Sequence, residues 1–294
     1  MKPRLKLHQK QSAWGWSFLM PAVILIVVMN FLPMIQAFLL SLQTGKGNVL
    51  HFAGLYNYKR LFQDKVFMQS LKNCFIYLII QVPIMLILAL VLASLLNNRN
   101  IRCKALFRTA IFLPCATSLV SYATIFRALF ATDGFINSIL VNVGLLETGY
   151  EFLSHPTSAR IVIILALVWR WTGYNMVFYL AGLQNIDYSI YEAATIDGAN
   201  SWQTFWHMTV PLLKPTILLT AIMSTAGTLQ LFDESVNLTG GGPANATITM
   251  SHYIYNTSFK FVPNFGYASA MSYFILIMVV ILTFIQMRVG DKRE

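Results

Sequence analysis

The sequence predicts an all-α polytopic membrane protein with six membrane-spanning helices. Three observations lead there. Apolar residues make up 56% of the 294-residue chain, and mean hydropathy is +0.60. Charged residues make up only 11%, against roughly 25% in soluble domains, too few to cover a water-facing surface. The apolar residues also fall in runs of about 20 or more, the length of a helix crossing a bilayer core. The whole chain, 1–294, reads as one transmembrane domain.

The first span is predicted over 15–41, inside the uncharged stretch between Lys10 and Lys46. Its basic flank, "MKPRLKLHQKQSAWGW", precedes an apolar run too long for a cleavable signal, so a retained span is expected. The second is predicted over 73–96, between Lys72 and Arg99. The third, 109–130, contains Arg127, read as snorkelling towards the outer interface. The fourth, 160–182, contains Arg170. The fifth is predicted over 212–236 and the sixth over 265–287.

Six spans put both termini on one side, and cations choose which. Both tails, the second loop and the start of the fifth span hold twelve: Lys2, Arg4, Lys6, Lys10, Arg99, Arg102, Lys104, Arg108, Lys214, Arg288, Lys292 and Arg293. The opposite loops hold seven: Lys46, Lys59, Arg60, Lys65, Lys72, Arg160 and Lys260. Both termini are therefore expected in the cytoplasm, although five of the seven sit in the first outer loop and pull the other way. The net charge of +10 belongs to these flanks and not to a basic-aromatic face, so no nucleic-acid partner is expected. The three cysteines form no CxxC pair and the five histidines no ligand spacing, so no metal is expected.

This topology places 183–211 in the cytoplasm, and the segment has no Lys or Arg. Asp187 is placed to cap a short helix carrying Ile190, Ala193, Ala194 and Asp197 at helical spacing, with Glu192 exposed beside them. Paired alanines leave a slim face. Gly198 tolerates a left-handed turn and ends the helix. Ser201 is expected to cap a second helix, "WQTFWHM", exposing Trp202, Phe205 and Trp206, and Pro211 starts the fifth span. Two readings stay open: docking on a partner protein, or lying among lipid headgroups.

Polar side chains inside a span are costly and face a partner or a water-filled path. Gln230, Asp233, Glu234 and Asn237 fall at i, i+3, i+4 and i+7, one face of a continuous helix. Arg170, Trp171, Tyr174 and Asn175 share a similar spacing in span four. A flat ring beside amides and hydroxyls suits a sugar. The alternative is helix–helix glue, with Arg170 neutralising Asp233 or Glu234. An enzyme is disfavoured: adjacent carboxylates on a helix point about 100° apart, and no nucleophile motif lies nearby. "GGGP", residues 240–243, reads as a flexible outer turn, either touching a partner or closing a loop.

Residues 192–211, "EAATIDGANSWQTFWHMTVP", resemble the EAA loop of ABC-importer permeases. Glu192, Ala193, Ala194, Gly198 and Pro211 match that pattern in spacing; Met208 and Val210 stand where Ile and Leu are usual. "FAGLYNYKRLFQDKVFMQSLKN", "LFRTAIFLP", "LAGLQNI", "LTGGGPANAT" and "FGYASAMSYF" extend the likeness across nearly the whole chain, towards the maltose-type first permease of the carbohydrate branch. The resemblance implies a type I ABC importer permease fold in a bacterial cytoplasmic membrane. Glu192, Ala193, Ala194, Asp197 and Gly198 would form a coupling helix gripped by a dimer of separate ATPase subunits. It implies a second homologous permease, an extracytoplasmic solute-binding protein, and a di- or oligosaccharide substrate. Sugar contacts would come from positions matching Gly173 to Met176 and Gln230, with Trp171, Asp233 and Glu234 also placed on the path. The chain lacks a GxxxxGK loop, so ATP and Mg would be held by the partner and no cofactor is expected here. Two alternatives remain: a glycerol-phosphate-type substrate met by Arg170, or an ion-coupled secondary transporter using Asp233 or Glu234.

Overall fold

The structure, a computed structural model, describes residues 7–46, 49–98 and 101–290. Lys2, Arg4, Lys6, Arg99, Lys292 and Arg293, used above to assign sides, lie outside the described residues, as do the side chains of Lys10 and Lys46.

Four helices are long and apolar enough to cross a membrane, or six if each of two bent pairs counts as one span. The first is built from α1 (Leu7–Ile26), a π turn (Val27–Phe31) and α2 (Leu32–Ser41). Pro33 cannot donate to the residue four earlier, Met29, and Met29 lies in the π turn, where the wider register absorbs that loss. None of this span's most apolar window is buried by the rest of the chain.

A short antiparallel hairpin follows, β1 (Gln43–Lys46) with β2 (Val49–Phe52), and then α3 (Tyr56–Leu61). The span α4 (Lys65–Asn97) begins well before residue 73 because Asp64 caps it. Asp64 Oδ1 accepts from Val66 N at 2.9 Å and Phe67 N at 3.2 Å. Its Oδ2 accepts from the hydroxyls of Tyr253 and Tyr267, both at 2.7 Å, and Arg60 lies 4.2 Å over the Tyr267 ring. Burial alone would raise the Asp64 carboxyl; the two tyrosines and two backbone N–H groups outweigh it and hold it below its ordinary value. The clasp is therefore complete above the usual carboxylate range and is lost as pH falls through the lowered Asp64 pKa. Asp64→Ala is expected to lower the melting temperature of the detergent-solubilised protein. The cap is worth about 1 kcal/mol and each bond to the carboxylate about 1.5–3 kcal/mol. The mutant's melting temperature should also lose its dependence on acid pH in this range.

The predicted third span is not one helix. It divides into α5 (Lys104–Ala116) and α6 (Leu119–Leu129), bent by 97°. Thr117 and Ser118 between them are extended, with ψ of 151° and 136°, and Thr117 Oγ1 donates to Pro114 O at 2.7 Å. A hydroxyl bonded back to the chain competes with helix continuation, and hydropathy does not register it. Arg127 is exposed near the end of α6.

After α7 (Phe135–Asn142), the span α8 (Pro156–Gln184) packs on α4 and α5. Ala89, Ala93, Met176, Tyr179 and Leu183 form the α4–α8 seam. At Gly173 a Cβ would fall 2.0 Å from the Ile111 carbonyl oxygen, so α5 and α8 meet backbone to backbone. The polar loop holds α9 (Tyr188–Ile196), α10 (Ser201–Thr204), a π turn (Phe205–Thr209) and α11 (Val210–Leu212). It joins α12 (Lys214–Leu229) at a 69° bend. The predicted fifth span therefore stops at Leu229. It resumes as α13 (Asp233–Thr239), followed by α14 (Met250–Tyr255), a π turn (Asn256–Lys260) and α15 (Phe265–Gly290).

The "GGGP" segment, expected as a flexible turn, opens a loop held by hydrogen bonds. Asn73 Nδ2 donates to Asn245 O at 3.1 Å and Ile248 O at 2.8 Å. Arg160 Nε donates to Ala246 O at 2.8 Å, and Thr247 Oγ1 to Gly242 O at 2.7 Å. Side chains of α4 and α8 thus fix the loop that closes this end of the bundle.

Candidate functional site

The break in span five borders a cavity of about 580 Å³ between α4, α8 and α12. Gln230 ends α12 at φ −98°, ψ 11°, and Phe232 sits at φ −130°, ψ −57° before α13 begins. A discontinuous helix inside a span leaves backbone groups free to face a cavity. Trp171, Tyr174 and Asn175 line it from α8, and Gln230, Asp233 and Glu234 from the break. The four-residue stripe expected on one helix face does not exist as such, because the helix is interrupted inside it. Asn237 leaves the wall and donates to Asp233 O at 2.9 Å.

Gly173 and Met176 are not on the wall. Gly173 makes the close α5 approach, and Met176 is fully buried in the α4–α8 seam. Gln81 and Met85 of α4, and Ser224 and Thr228 of α12, line the cavity although the sequence reading passed over them. Gln81 had a usable signal, since it is the one amide inside an otherwise apolar run. Thr228 Oγ1 donates to Gln81 Oε1 at 3.2 Å, Ser224 Oγ to Asn175 Oδ1 at 3.5 Å, and Asn175 Nδ2 to Trp171 O at 3.0 Å. The rings of Trp171 and Tyr174 meet edge-on at 5.7 Å. Flat aromatic area beside hydroxyls and amides can stack an apolar ring face and bond its rim.

Arg170 does not pair with Asp233 or Glu234. Its guanidinium donates to Thr117 O at 3.1 Å and Cys115 O at 3.4 Å, and lies 4.9 Å over the Tyr122 ring. The backbone carbonyls at the α5–α6 bend lack helical partners, and a buried guanidinium answers two of them. Glu234 is buried beside the Tyr122 hydroxyl, with the Arg170 charge within electrostatic reach. Among the described residues there is no group of three or more His, Cys, Asp and Glu side chains able to hold a metal.

The second candidate region is the loop between α8 and α12. Asp187 Oδ1 caps α9, accepting from Ser189 N at 3.0 Å, and these bonds hold the exposed carboxyl below its ordinary value. Gly198 ends the helix at φ +79°. The second helix is capped by Asn200, one residue earlier than expected. Asn200 Oδ1 accepts from Gln203 N at 2.8 Å while Gln203 Oε1 accepts from Asn200 N at 2.9 Å, a reciprocal box that needs Glu or Gln three residues after the cap; three residues after Ser201 stands Thr204. Glu192, Ala193 and Asp197 are exposed. Ala194 is only 2% exposed, so the paired alanines do not share one outward face. A polar groove of about 830 Å³, lined by Asn97, Gln184, Tyr191 and Asn200 among others, separates the loop from the ends of α4 and α8.

Over residues 73–293 the chain matches the family described as binding-protein-dependent transport system inner membrane component. The chain belongs to that family. The matched region takes in the cavity, the loop and every span but the first. Among its relatives, the lactose transport system permease protein LacF of Rhizobium radiobacter is 51% identical over 293 residues, covering 99% of this chain and 98% of its own length. The trehalose/maltose transport system permease protein MalF of Thermococcus litoralis is 31% identical over 292 residues, covering 98% and 97%. In a crystal structure of a bacterial alginate ABC transporter in complex with an alginate pentasaccharide-bound periplasmic protein, one chain matches with a TM-score of 0.85 at 22% identity. The match covers 99% of this chain and 98% of that one. The fold is thus the type I permease fold of a multi-pass membrane transport subunit.

Proposed function

We propose that this permease is the transmembrane subunit of an ATP-driven importer for a di- or oligosaccharide, coupled through the 183–211 loop to a separate ATPase. One observation carries the reading: α12 runs unbroken from the bend at the loop to the break at the cavity. Its 16 residues make a strut of about 24 Å. A pull on the loop is delivered along that strut to Gln230. Glu192, Ala193 and Asp197 face outward for the ATPase, and Gly198 sets the turn. Trp171, Tyr174, Asn175 and Gln230 contact the sugar, with Asp233 and Glu234 at the same wall. Both termini and the loop lie in the cytoplasm. A second permease completes the path, a solute-binding protein delivers cargo, and ATP and Mg stay on the ATPase. The carbohydrate names of the relatives support the substrate class.

Against the phosphate-type alternative, Arg170 Nη2 is already engaged by Cys115 O and Thr117 O. Tyr174→Ala and Gln230→Ala are expected to lower sugar uptake about tenfold each, as the loss of one stacking or hydrogen-bonding contact of 1–2 kcal/mol implies. Uptake into proteoliposomes holding the full transporter checks this, with lactose as the first probe. Unchanged kinetics in both mutants would remove them from the path.

A further inference from the structure

The loop exposes an aromatic cluster that the coupling role does not use. Trp202 is 69% exposed and Trp206 48% exposed. Their rings lie 5.6 Å apart and form one contiguous patch, with half-buried Phe205 5.3 Å from Trp206 on the groove side. Another side of the same helix, carrying Thr204, Phe205 and Thr209, faces the groove towards α9: Thr209 is buried and within 3.4 Å of the Tyr191 hydroxyl. The segment Ser201–Leu212 leaves the α12 axis at 69°. A helix turned that far from a span running near the membrane normal lies close to the membrane plane. The exposed apolar surface continues across the bend through Leu212 to Leu219 on the span itself. The aromatic patch is therefore continuous with the exposed apolar surface of the span, and paired indole rings beside the end of a span suit headgroup depth, where amphipathic rings are most stable.

We propose that Trp202 and Trp206 form a lipid-interface docking surface that anchors the second half of the loop to the phospholipid headgroups. The loop is then divided by Gly198. The α9 half is free to meet a protein, and the 201–212 half is held by lipid, so that force reaches α12 at a fixed fulcrum.

The test reads depth rather than transport, so it stands whether or not the importer reading holds. Nitroxide labels are placed singly at 202, 206 and 192 (Trp202→Cys, Trp206→Cys, Glu192→Cys) in a Cys103→Ser, Cys115→Ser background. The transporter, with its subunits, is reconstituted in phosphatidylethanolamine–phosphatidylglycerol nanodiscs. Labels at 202 and 206 should collide with oxygen several-fold more than with a water-soluble nickel chelate, relative to the label at 192. Preference for nickel at both sites, or exclusion of both reagents by a protein partner, overturns the proposal. A second measurement keeps aromatic bulk: Trp202→Phe with Trp206→Phe should reduce the tryptophan fluorescence quenched by brominated lipid. Quenching unchanged from the parent protein would also overturn it.

Discussion

Gly198→Val is expected to abolish most transport while leaving the chain inserted in the membrane. Gly198 sits at φ +79°, a conformation a β-branched residue adopts only under strain of roughly 1–3 kcal/mol. No atom lies within 4 Å of the position a Cβ would take, so the effect is conformational and not a clash. Relieving the strain opens the turn and re-aims α9 relative to the Asn200–Gln203 box. If the loop transmits force, a misdirected handle shifts the coupled state by the same 1–3 kcal/mol, about 5- to 150-fold. ATP-driven uptake should fall accordingly, while ATP hydrolysis loses its response to cargo. Gly198→Ala should show a smaller defect in the same direction. Glu192→Ala should weaken ATPase docking without altering the turn. Wild-type uptake in Gly198→Val would show that the bend is not part of the coupling path.

The largest stability effect is expected at Gly173→Val. There the Cβ would stand 2.0 Å from Ile111 O and 3.0 Å from Phe112 Cα, both backbone atoms that cannot rotate away. Overpacking of this kind costs about 1–3 kcal/mol or more, and here it also drives α5 from α8. Arg170, one turn earlier on α8, would lose its carbonyl partners at the α5–α6 bend. The mutant should melt several degrees lower in detergent, roughly 2–4 °C per kcal/mol, and assemble poorly. Gly182→Ala is the contrasting case. Its nearest neighbour is the tip of the Leu213 side chain at 2.7 Å, which can swing aside, so the change should be mild.

These two glycines show what the sequence could and could not disclose. Gly198 was legible because a glycine ending a capped helix has a local reason to be there. Gly173 was not, because its reason lies in another helix, and the resemblance that placed it on the sugar path did not reveal the α5 contact. Apolar run length located the helices but not their interruptions. The breaks at Thr117–Ser118 and Gln230–Phe232 leave hydropathy unchanged while redirecting the chain. The start of α4 was missed for the opposite reason, since a polar cap at Asp64 extends the helix past its apolar stretch. Trp171, Tyr174, Asn175, Gln230, Asp233 and Glu234 were brought to one cavity, although the helix thought to align three of them is broken. Arg170 was expected to seek a carboxylate; a bend with unsatisfied carbonyls is an alternative no linear pattern shows.

The most direct measurement is uptake into proteoliposomes that contain this chain with its co-purified subunits, loaded with ATP and Mg and held without any ion gradient. The account predicts accumulation of the sugar delivered by the binding protein, stopping when ATP is withdrawn. Accumulation that needs a proton or sodium gradient and ignores ATP would contradict it.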